Sequence, residues 1–172
     1  MTYQWSKAET AATVAQSAYP TGDVHDFNFL FGNWSVLNRR LRKRWVGGDD
    51  WEEFTGVSRC EPKLGHAANV DEICFPTLGW SGLTLRLFDR EARRWSIYWI
   101  NSQGARLFPP VQGGFIGDHG EFFGQDEDEG RPVKVRFIWE KLGPVHARWS
   151  QAFSADGIKW ETNWVMEFTR MG

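Results

Sequence analysis

Beyond Gly32 apolar and polar residues alternate with a period of two, and Gly, Pro, Asn and Asp interrupt the alternation roughly every ten residues. No stretch there carries the 3.6-residue period of a crossover helix, so each strand is expected to pair with the next through a hairpin. Strand candidates lie at 33–45, 51–60, 69–75, 80–88, 95–101, 114–118, 121–126, 132–140, 147–154 and 160–170. About ten sequential antiparallel strands leave two bare edges if the sheet stays open, and rolling it shut removes both. The expected fold is all-β: a single closed or nearly closed up-and-down barrel over residues 25–172, with 1–24 as an arm or short helix. The helical reading rests on the Ala- and Thr-rich run 6–18 before Tyr19-Pro20-Thr21-Gly22.

Local chemistry fills in this outline. Arg39, Arg40, Arg42, Lys43 and Arg44 precede the turn Gly47-Gly48-Asp49-Asp50, and Glu52 and Glu53 follow it, so cross-strand ion pairing explains the basic run better than an anion site does. The fourth strand sets Leu83, Leu85 and Leu87 against Thr84, Arg86 and Phe88. The fifth sets Trp95, Ile97 and Trp99 against Ser96, Tyr98 and Ile100, which predicts cover on both faces. The acidic run 126–130 reads as a solvated turn, because it lacks the glycine-punctuated spacing of a calcium loop.

Composition narrows the function classes. Eleven Trp and 13 Phe stand against 3 Tyr and 3 Met, an abundance of large rigid apolar surface. A net charge of −2 gives no electrostatic reason to seek nucleic acid or an anionic membrane. The amino terminus shows no basic start followed by an apolar run, so a cytoplasmic address is expected. Cys60 and Cys74 are expected to be reduced packing residues. His25, His66, His119 and His146 fall in or beside predicted loops without convergent spacing; His146 is the best placed for a single axial ligand, but no metal or cofactor is expected. Nucleophile elbows, phosphate loops and Cys-His pairs are missing from the pattern, so covalent catalysis is not indicated.

The entrance to the barrel pattern reads Asp26-Phe27-Asn28-Phe29-Leu30-Phe31-Gly32-Asn33-Trp34, an aromatic plug followed by Gly-x-Trp. Here the chain resembles the calycin superfamily of lipocalin and fatty-acid-binding-protein barrels. It is closer still to a set of uncharacterised bacterial proteins beginning Asp-Phe-x-Phe-x-x-Gly-x-Trp. The likeness extends to Asn69-Val70-Asp71-Glu72, to Trp95-Ser96-Ile97-Tyr98-Trp99, and to the closing run from Trp160-Glu161 to Arg170. The resemblance implies a cavity, Gly32 at a tight turn, and Arg170 packed over Trp34 at the closed end. It implies no reaction.

In a barrel of about ten strands the lumen is wider than side chains readily fill, so polar residues on apolar strands become candidate ligand contacts. These are Asn69, Asp71, Glu72, Arg86, Tyr98, Trp99, Arg136, Arg148, Gln151 and Asn163, with Asn101 and Glu161 beside them. Alternation sends half of them outside, and a one-residue slip exchanges the two sets. The leading expectation is a carrier or sensor for a small hydrophobic or aromatic molecule bearing a carboxylate or carbonyl. One alternative is a cofactor-independent isomerase, cyclase or decarboxylase, with Asp71 or Glu72 as acid or base and Tyr98 or an arginine polarising a carbonyl. Another is a homodimeric interaction module using exposed tryptophans.

Overall fold

The computed structural model describes residues 19–172, so the helix expected at 6–18 lies outside the described residues. Ten antiparallel strands follow in sequence: β1 Gly32–Leu41, β2 Trp51–Lys63, β3 Ala68–Phe75, β4 Trp80–Asp89, β5 Arg94–Asn101, β6 Val111–Ile116, β7 His119–Asp128, β8 Arg131–Lys141, β9 His146–Ser154 and β10 Glu161–Arg170. Each pairs with its sequence neighbours, and β1 pairs with β10 from Trp34↔Arg170 to Arg40↔Trp164, which closes the barrel. No helix of the described residues is long and apolar enough to cross a membrane.

The plug seals one end. Phe27 and Leu30 are buried around the 3-10 turn Asn28–Leu30, and the Phe27 ring meets Trp95 and Phe115 edge-on at 5.0 and 5.2 Å. Trp34 Nε1 donates to the Leu30 carbonyl at 2.7 Å, tying the plug to β1. Arg170 lies 4.3 Å over the Trp34 ring and donates to the carbonyls of Phe31 and Phe29. Gly32 turns the chain at φ 110°, where a side chain is strained.

Several local expectations shift in the folded chain. The first strand stops at Leu41 instead of running to Trp45, because residues 42–50 leave the sheet. The ion pairs of that hairpin do form, with Arg39 facing Glu53 and Arg40 facing Glu52 in register. The sixth strand begins three residues earlier than expected, at Val111. The acidic run is a solvated turn only at Glu129 and Gly130, which are exposed and have positive φ; Asp126–Asp128 continues β7, and Asp128 is buried. Cys60 is buried, but Cys74 is exposed on the outer face and is not a packing residue.

Strand β4 reverses the usual sense of alternation. Thr84 and Arg86 point inward and are buried, while Leu83, Leu85 and Leu87 are half-buried on the outer face. Tyr98 and Ile100 continue that outer surface on β5, opposite Leu85 and Leu83. The cover expected for the second face of β5 is therefore partial.

Candidate functional site

Above the plug the lumen holds a cavity of about 250 Å³. For scale, an apolar cavity of about 150 Å³ accommodates benzene, so this one has room for a bicyclic ring. Its walls are built by alternation: Ile97 and Trp99 from β5, Phe137 and Trp139 from β8, Trp149 and Phe153 from β9. Gly82 on β4 makes room for Trp99, since a Cβ there would fall on the indole ring.

The central wall residue is Trp164. The β9–β10 register shifts between Thr162 and Trp164, and this bulge lets both Asn163 and Trp164 line the cavity instead of alternating. The Trp164 ring lies 5.8 Å from Trp149 and 6.3 Å from Trp99, and its Nε1 donates to Asn38 Oδ1 at 3.0 Å. Asn163 Oδ1 accepts from Gln151 Nε2 at 2.8 Å, while its Nδ2 is buried without a partner among the described residues.

The floor is polar. Arg86 donates to Asp71 Oδ2 at 3.2 Å and to Asn69 Oδ1 at 2.9 Å, and its guanidinium lies over Phe27 at 5.0 Å and Trp139 at 5.6 Å. All three polar side chains are nearly inaccessible. Burying an ion pair is costly unless the remaining lone pairs and protons are satisfied. Here Asp71 Oδ1, Arg86 Nε, Asn69 Nδ2, Trp139 Nε1 and the neighbouring Ser58 Oγ are buried without hydrogen-bond partners among the described residues. Cys60 sits beside this floor, opposite Asp71 in register, and burial pushes its thiol up to about 12, which leaves it a poor nucleophile at neutral pH.

A strap crosses the other end. From the β1–β2 connection, Arg44 grips Asp128 on β7 with two hydrogen bonds of 2.9 and 2.6 Å, reaching past β10, β9 and β8. Trp45 adopts φ 67°, donates its indole N–H to Asp128 at 2.7 Å, and its backbone N–H meets both carboxylate oxygens of Glu161. Burial acts to raise the Asp128 pKa, yet the hydrogen bonds from Arg44 and Trp45 and the charges of Arg44 and Arg131 outweigh it and hold the carboxyl below its ordinary 3.8. A depressed folded pKa gives stabilisation that is complete above the ordinary value and is lost as pH falls through the lower one. The strap is thus expected to stay fastened through the neutral range and to release only in strong acid. Asp128→Ala should speed amide hydrogen exchange in residues 42–50 at least tenfold at neutral pH while barrel amides keep their protection; equal rates in the two proteins would refute the strap.

The residues anticipated from the sequence divide clearly. Asp71, Arg86, Trp99, Gln151 and Asn163 line the cavity, and Asn69 lies beneath it against Arg86. Glu72 is exposed, Tyr98 is on the outer face, and Arg148 pairs outside with Glu167 and Glu140. Arg136 stacks over Trp160 at 4.7 Å and does not reach the cavity. Asn101 caps a turn through Gly104 N–H, and Glu161 holds the strap. His25, His119 and His146 are exposed; folding brings His25 within 5.8 Å of His66, but no group of three potential metal ligands forms among the described residues. Ser58, Thr84, Trp139, Trp149 and Trp164 also line the cavity, though they are not among the residues expected from the sequence. Ser58 was accessible to pattern reading, since it shares parity with Phe54 and Cys60 on a strand whose other face carries Glu53, Thr55 and Arg59.

Neither a protein-family model nor a curated protein matches the chain.

Proposed function

We propose that this barrel binds a small, mainly apolar and aromatic molecule in its lumen, as a carrier or sensor. The observation that carries the reading is a tryptophan-walled cavity of about 250 Å³ that ends on buried polar atoms without partners. A self-sufficient core closes such space and pairs such atoms, because each unpaired buried polar group costs about 1–3 kcal/mol. A ligand compensates on both counts: its rings fill the aromatic walls and its polar end meets the floor. Asp71, Arg86, Trp99, Gln151 and Asn163 are the proposed contacts, with Asn69 orienting Arg86. The closed barrel is compatible with the calycin-like resemblance of the plug and closing motifs. Two free thiols suit the reducing compartment expected for the chain.

Binding is favoured over the enzymatic alternative because Glu72 and Tyr98 do not line the cavity, and the acid–base candidate and arginine that do, Asp71 and Arg86, are bonded to each other at 3.2 Å. Calorimetric titration with naphthalene, a rigid bicyclic probe of suitable size, tests the reading. The expected result is saturable binding of one molecule per chain with a negative heat-capacity change. No saturable binding of naphthalene would overturn it.

A further inference from the structure

We infer that the lumen selects an uncharged ligand with a hydrogen-bond donor at its deep end, an aromatic alcohol or phenol, and rejects an aromatic carboxylate. This rests on the lumen being the ligand site, and it goes beyond that reading by assigning the chemical class of the head group.

The cavity is lined by three arginines and no lysine among the described residues, and each arginine already holds a carboxylate. Arg40 donates to Glu52 at 2.8 and 2.6 Å, Arg44 is clasped to Asp128, and Arg86 is paired with Asp71. An incoming anion therefore finds no uncommitted cation. At the floor it also meets Asp71 Oδ1, a buried acceptor without a partner. Two carboxylates brought together in a poorly solvated pocket repel strongly, and one of them must take up a proton to stay. A cationic head fares no better, because approaching Asp71 brings it against the Arg86 guanidinium 3.2 Å from the same carboxylate. It would also shed its hydration among aromatic rings.

An uncharged hydroxyl meets neither difficulty. Its O–H can donate to Asp71 Oδ1, a hydrogen bond strengthened by the acceptor's charge. Its lone pairs can accept from the Ser58 hydroxyl, Trp139 Nε1–H or Arg86 Nε–H, buried donors on residues that line the cavity and all without partners among the described residues. Ser58 lies one inward position along β2 from Cys60, the residue facing Asp71, so the hydroxyl and the carboxylate belong to the same patch of floor. Toward the mouth, Asn163 Nδ2 offers one more donor, suited to an ether or carbonyl oxygen on the ligand's outer end.

The test compares naphthalene, 2-naphthol and 2-naphthoate by calorimetry at neutral pH, which holds the ring system constant and varies the head. The expected order is 2-naphthol at least tenfold tighter than naphthalene, with 2-naphthoate weaker than naphthalene. Ser58→Ala should shrink the preference for naphthol over naphthalene several-fold. Asp71→Asn, if it folds, should shrink it further and relieve the exclusion of naphthoate. If naphthalene binds and naphthol gains nothing, or naphthoate binds as tightly as naphthol, the head-group assignment alone is overturned. If naphthalene itself does not bind, the lumen reading falls, and the head-group assignment with it.

Discussion

Phe27→Ala is expected to lower the unfolding free energy by about 3–5 kcal/mol, the range for removing a fully buried aromatic ring. Phe27 is 1% exposed and fills the closed end of the barrel between Trp95, Phe115, Phe122 and Trp139. These rings belong to strands on the β5–β8 side, whereas Phe27 comes from the segment leading into β1, so the plug joins parts of the barrel that are not sheet neighbours. Little relaxation is available, because the strands are held at fixed spacing by the closed hydrogen-bond ladder. The loss of the ring would also remove the aromatic face beneath the Arg86 guanidinium. Urea unfolding, with the slope checked for two-state behaviour, gives the number; a change under about 1 kcal/mol would mean the plug is not part of the cooperative core.

The second large effect concerns the floor. Asp71→Ala should cost about 3–5 kcal/mol, because it leaves the Arg86 guanidinium buried and without its counter-charge. The side chains of Arg86 and Asp71 are only 3% and 6% exposed, so water cannot take over. Replacing both partners, as Asp71→Leu with Arg86→Met, should recover most of that loss, since the remaining burden is the unpaired charge and not the missing contact. Equilibrium unfolding of the single and double variants forms the required cycle. A double variant as unstable as Asp71→Ala would show that the pair stabilises the fold outright and is not retained for binding.

The pair is also where reading the sequence met its limit. Strand existence and order were legible, because period-two alternation and turn residues are local signals: nine strand candidates lie within three residues of both observed ends, and the first overruns by four, to Trp45 where β1 stops at Leu41. Closure was legible from the same strand pattern, as rolling a sheet of sequential hairpins shut abolishes the two bare edges it would otherwise leave. Face assignment was not. On β4 the leucines face outward and Thr84 and Arg86 inward, opposite to what hydrophobicity alone suggests, because Arg86 is stabilised inside by Asp71 and Asn69 on the neighbouring strand. At Asn163 and Trp164 a bulge breaks the alternation that face assignment depends on. Asp128 sits in an acidic run that looks solvated locally, and its partner Arg44 lies 84 residues away. Non-local pairing decides such cases, and it is invisible to a window of ten residues.

The most direct measurement is a crystal structure of the protein soaked with naphthalene. Ring density is expected within the barrel against Trp99, Trp149 and Trp164, above an unbroken Arg86–Asp71 pair, with the strap at 42–50 still across the mouth. A lumen closed by inward rotation of those tryptophans, with no room for the probe, would contradict the proposal that this barrel is built to hold a ligand.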